Sequence, residues 1–165
     1  MRLREWIETF RFLHEKARAG RLAEGEVAAY HELREDFASL LLAGQCLTVS
    51  PGQTARSALR AVRPLPLELN IAKGVQHTAT LDISSGGFST FVPIPLPAGA
   101  VISFFLGLTT GGLRGRARVV SILDEGTSYR ISFRLEGVSV ADAERMETEV
   151  LDAALQQFDF FTAHS

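Results

Sequence analysis

Apolar residues at Leu3, Trp6, Ile7, Phe10, Leu13 and Ala17 repeat at intervals of three and four, the spacing of one helical face. Gly20 is placed to end that helix. A second series follows at Val27, Tyr30, Leu33, Phe37, Leu40 and Leu41, with charged residues on the remaining faces. The two series predict a helical hairpin over residues 1–50 that turns between Gly20 and Gly25. Its apolar stripe needs a cover, which the other helix, the rest of the chain or a second subunit can supply. Residues 1–50 are therefore a candidate homo-oligomer surface.

Beyond Pro51-Gly52 the period shortens from helical to alternating. Leu65 to Ile71, Thr78 to Ile83, Phe88 to Val92, Ala100 to Leu108, Leu113 to Ile122 and Thr127 to Leu135 are rich in apolar or β-branched residues and bounded by Gly, Pro or Asp-Glu-Gly turns. Six short strands so spaced predict a small antiparallel barrel. The proline-punctuated run from Pro93 to Gly99 suits a connection at an edge. Arg114, Arg116 and Arg118 recur at every second residue, so they share one strand face opposite Val119. Ser139 and Asp142 form an S-x-x-D helix start, followed by an apolar stripe from Val140 to Phe158. The predicted fold is mainly β with helical additions: a hairpin over residues 1–50, then a six-stranded antiparallel barrel with a C-terminal helix over residues 51–165.

Composition changes this picture little, but it narrows function. With 46% hydrophobic and 22% charged residues the 165-residue chain suits a folded domain with an appendage. The net charge of -2 hides a gradient: residues 51–87 carry four basic and two acidic side chains, whereas residues 141–165 carry one and six. A basic middle favours a local anionic ligand, and a pI of 6.1 argues against DNA. The lone Cys46 has no disulfide partner and is expected as a small buried hydrophobe. His14 and His31 lack a second ligand at the next helical turn, so no metal is expected. The N-terminus alternates charged and apolar residues where a signal peptide has a continuous apolar core, and no apolar run is long enough to span a bilayer. A cytoplasmic location is expected.

Two motifs carry the chemistry. Arg56-Ser-Ala-Leu-Arg60 is an R-x-x-x-R, and Asp82-Ile-Ser84-Ser-Gly-Gly87 is a D-x-S-x-x-G. In a strand, Asp82 and Ser84 leave from one face while Ile83 points to the other. Gly86 and Gly87 are expected to make a turn whose backbone can take positive φ and lie close to a flat ligand with no Cβ in the way. The Thr48 to Arg63 stretch, holding both arginines, reads as an irregular loop able to fold over that strand surface.

In this order and spacing the motifs resemble the signature of PilZ domains, bacterial receptors for cyclic di-GMP. The likeness runs from Arg56 to Leu155, with Arg60 to Leu69 as the first strand region, Leu113 to Val120 as a later strand and Tyr129 to Ser139 before a terminal helix. It implies a six-stranded barrel with a terminal helix. It also implies that Arg56 and Arg60 wrap the guanines and phosphates of cyclic di-GMP, while Asp82, Ser84 and Gly87 meet a guanine edge. The chemistry agrees: a guanidinium fork can donate to guanine O6 and N7 together or to a phosphate, and a carboxylate accepts from the opposite edge, N1–H and N2–H2. Many members carry a basic residue immediately before the first motif arginine, where this chain has Ala55. Arg63 is a candidate substitute. The family binds one ligand or an intercalated pair.

The expected function is that of a cyclic di-GMP effector in which the ligand orders the arginine loop, and a protein partner or the N-terminal helices read the result. No cofactor is expected beyond the ligand. The alternative is a scaffold that binds protein through residues 1–50 and takes no nucleotide. Catalysis is not expected. His77, Asp82 and Ser84 lack the G-x-S-x-G context of a serine nucleophile, and no P-loop is present.

Overall fold

The structure, a computed structural model, describes residues 2–44, 51, 54, 55 and 59–163, with side chains through residue 157. Cys46 and Arg56 lie outside the described residues. The chain divides into two compact units, residues 1–59 with 154–165 and residues 60–153.

In the first unit, α1 (Leu3–Arg18) and α2 (Glu24–Gly44) form the hairpin. Gly20 takes φ 67° after α1, a conformation that favours glycine. Ile7, Phe10, Leu13 and His14 of α1 are buried, as are Tyr30, Phe37, Ala38 and Leu42 of α2. Phe10 is the hub, with ring centroids 5.0 Å from Phe37, 6.0 Å from Tyr30 and 6.1 Å from Trp6. The α2 stripe differs from its sequence reading. Leu40 is 56% exposed, while Arg34 is buried against the Tyr30 ring at 5.0 Å, which a pattern built on apolar residues passes over. Lys16 Nζ donates to both carboxylate oxygens of Glu26 at 2.8 Å, joining the helices and holding that carboxyl below its ordinary pKa.

The second unit is the barrel. Its strands are β1 (Arg60–Val62), β2 (Pro66–Ile71), β3 (Gly74–Ser84), β4 (Gly87–Val92), β5 (Val101–Leu108), β6 (Gly111–Asp124) and β7 (Tyr129–Glu136). Six strands close a ring in the order β3-β2-β5-β6-β7-β4 with every pairing antiparallel, and β4 returns to β3. β1 is an extra strand, paired to β3 beyond the end of β2. Alternation fills the interior with Leu67, Leu69, Ile83, Leu106, Ala117 and Ile131, each no more than 1% exposed. A fully buried Leu or Ile contributes about 1.5–3 kcal/mol, so the inward rows account for the closure. Phe88 sits with ring centroids 5.3 Å from Phe104 and 5.2 Å from Phe133.

The terminal helix, α3 (Val140–Ala163), starts where the sequence places it, with the Asp142 N–H donating to Ser139 Oγ at 3.1 Å. Its first turns are tied to the barrel. Glu149, buried, accepts from Thr109 Oγ1 at 2.8 Å and pairs with Arg63 Nε at 3.1 Å, and Arg145 donates to the Gly112 carbonyl.

Candidate ligand-binding face

The site begins with an irregularity in β3. Thr80 is buried in the interior opposite Thr90, and simple alternation would bury Asp82 next. A register shift between Thr80 and Asp82 inserts Leu81, so that Ile83 takes the interior position at 0% exposure and Asp82 and Ser84 turn outward. Bulges re-aim side chains in this way.

β1 brings an arginine to the same place. Its register against β3 sets Arg60 opposite Ser84, Ala61 opposite Ile83 and Val62 opposite Asp82. Ala61 is buried and Arg60 exposed, so the Arg60 side chain leaves on the face that carries Ser84 and Asp82. Opposed Cα atoms in an antiparallel pair lie about 4.5–5.5 Å apart, well within the reach of a guanidinium. Arg60 therefore belongs to the sheet, which corrects the loop expected up to Arg63. The residue pattern alone does not show it, because β1 is three residues long and is cut from β2 by Pro64, whereas the family likeness does make Arg60 to Leu69 a first strand region. Thr80 bridges the cut: its Oγ1 donates to the Arg63 carbonyl at 2.6 Å and accepts from the Leu65 N–H at 2.9 Å.

β4 and β7 extend the face. One row of register partners runs Asp82, Ser89, Ser132, and the next runs Ser84, Gly87, Arg134. Asp82 Oδ2 accepts from Arg130 Nη2 at 3.0 Å, with the Asp82 side chain 16% and the Arg130 side chain 40% exposed. Ser84 Oγ donates to the Gly87 carbonyl at 3.4 Å, across the turn. Ser89 is 1% exposed and its Oγ has no hydrogen-bond partner among the described residues. Arg134 is exposed beside Gly87.

The turn forms after Ser84, but Gly86 and Gly87 both keep φ outside the left-handed region, so it does not use the positive φ that glycine allows. Gly87 is demanded by packing instead. A Cβ there would run into the Phe133 carbonyl oxygen of β7, whereas one at Gly86 would meet nothing within 4 Å.

Of the residues singled out in the sequence, Arg60, Asp82, Ser84 and Gly87 come together on the outer face of β1, β3 and β4. Arg63 does not join them, because Glu149 and Asp152 of α3 hold its guanidinium at 3.1 and 3.4 Å. His77 sits further down β3 beside Glu68. Arg130, Ser89 and Arg134 were missed. The alternation Arg130-x-Ser132-x-Arg134 marks an outward polar row on the last strand, but nothing in the sequence ties it to Asp82.

The sequence matches the PilZ domain family over residues 54–152, and the chain belongs to that family. A search of curated proteins gives no match. Solved structures with the same fold include the Bacillus subtilis inhibitor of motility MotI/DgrA, at 14% identity and a TM-score of 0.54 over 59% of this chain and 50% of that one. YcgR from Escherichia coli, solved in complex with c-di-GMP, aligns at 18% identity and a TM-score of 0.56 over 64% of this chain and 49% of its own. The PilZ domain of YcgR with c-di-GMP aligns at 18% identity and a TM-score of 0.53, covering 62% of this chain and 94% of the domain. The chain thus spans about half the length of MotI/DgrA and of full YcgR. Among the described residues, no helix is long and apolar enough to cross a membrane.

Proposed function

We propose that the protein is a cyclic di-GMP receptor. Arg56 and Arg60 donate to guanine and phosphate oxygens, Asp82 accepts from the N1–H and N2–H2 edge of a guanine, and Ser84 and Gly87 line the same surface. The observation that carries this reading is the register that sets Arg60 opposite Ser84 and two residues from Asp82, all facing outward. A planar base on that face can meet a cationic fork from one side and a carboxylate from the other. Arg134, exposed beside Gly87, adds a cation suited to a dianionic ligand.

The finer part of the proposal is the output. Ala55, immediately before Arg56, donates its N–H to Glu35 Oε1 of α2 at 2.8 Å. Ordering of the arginine segment on ligand is then felt by the helical hairpin, which passes the change to a protein partner.

Calorimetric titration with cyclic di-GMP tests the reading. The wild-type chain is expected to bind, and Arg60→Ala and Asp82→Ala each to lose about 1–3 kcal/mol, roughly tenfold or more in affinity. A flat wild-type titration would sink the receptor reading and leave a protein-binding scaffold in its place.

A further inference from the structure

On the barrel face an ion pair joins Asp82 of the second motif to a residue outside both motifs. Arg130 lies on β7, 48 residues from Asp82, and places Nη2 3.0 Å from Asp82 Oδ2. On the cyclic di-GMP reading above, we infer that Arg130 is a positioning residue for base specificity: it fixes one oxygen of Asp82 so that the other is presented to the N1–H and N2–H2 edge of guanine.

The chemistry of the carboxylate requires such a partner. The last torsion of Asp is broad, and both oxygens accept, so an unrestrained group offers its lone pairs over a wide range of tilts. Such a group accepts from many donors and discriminates among bases poorly. A charge-assisted bond to one oxygen sets the plane of the group. Among the described residues Arg130 is the side chain that does this. Ser89, across the strand pair from Asp82, bonds to neither oxygen, and its own Oγ is without a partner. Arg130 also offsets the negative charge of Asp82, which otherwise repels the two phosphodiesters of the ligand. Its side chain is 40% exposed, so it can be replaced without opening the core.

The test compares cyclic di-GMP with its inosine analogue, which lacks the N2 amine. Wild type is expected to prefer cyclic di-GMP by about tenfold or more, because a site built to accept from an N–H rejects the analogue without it. Arg130→Met is expected to weaken cyclic di-GMP binding about tenfold and to bring the two ligands within about threefold of each other, while Arg130→Lys recovers part of the preference. A thermal melt of each variant separates loss of fold from loss of specificity. Arg130→Met that stays folded and keeps the wild-type affinity and preference overturns this inference and leaves the receptor reading standing. A wild-type chain that binds neither ligand overturns both.

Discussion

At the scale of single residues, the glycines of the D-x-S-x-x-G turn show that one motif position can answer to the fold before it answers to a ligand. Gly87 faces the Phe133 carbonyl so closely that any Cβ must push β4 and β7 apart, whereas Gly86 faces open space. Gly87→Ala is therefore expected to destabilise the barrel by about 1–3 kcal/mol, the usual cost of overpacking. Gly86→Ala, at an exposed position outside the left-handed region, should stay within about 0.5 kcal/mol of wild type. Urea denaturation of the two variants compares them directly. Equal stabilities would mean that β7 yields to the methyl and that the glycine is kept for the ligand alone. The same logic applies to Asp82. Its outward direction comes from the inserted Leu81, a feature of register that a reading by strict alternation gets right only when it starts counting at Asp82 itself.

Among the elements, the joint between β1, β2 and α3 is the one that positions the arginine. Arg63, just past β1, is 11% exposed and pairs with Glu149 at 1% and Asp152 at 10% exposure. Removing one partner from a buried pair leaves an uncompensated charge, so Arg63→Met should cost about 3–5 kcal/mol in equilibrium unfolding. Arg4→Met, which breaks the exposed pair with Glu8, should cost less than about 1 kcal/mol. A near-neutral Arg63→Met would show that the joint is held by its apolar neighbours. The long strands and both flanking helical regions were legible in the sequence because each repeats one period for six residues or more. β1 was legible only through the family likeness, which makes Arg60 to Leu69 a first strand region, since three residues carry no period and Pro64 reads as a break. The partners made by closure were not legible. Asp82 meets Arg130 only because β4 is laid between β3 and β7, and a pairing 48 residues apart leaves no local trace.

For the whole molecule, the question is whether ligand on the barrel face is registered by the N-terminal helices. On the proposed reading the bond from the Ala55 N–H to Glu35 would be the route, since Ala55 precedes the first motif arginine in the chain and Glu35 belongs to α2. Trp6, the single tryptophan of the chain, has its ring centroid 6.0 Å from that of Phe37. It is thus a built-in reporter on the far side of the proposed link. A ligand at one hundred times its Kd shifts a conformational balance by about 2.7 kcal/mol at most, the limit reached when it binds one of the two states alone. Saturating cyclic di-GMP is expected to change Trp6 emission in the wild-type chain. In Glu35→Ala, affinity should stay within about tenfold of wild type, since the loss is that of one charge-assisted hydrogen bond outside the base-reading face, but the Trp6 response should largely disappear. If Glu35→Ala binds and Trp6 still responds in full, the signal takes another path. If wild-type Trp6 is silent while calorimetry records binding, the hairpin does not read the ligand, and its exposed Leu3 and Leu40 become the features to explain.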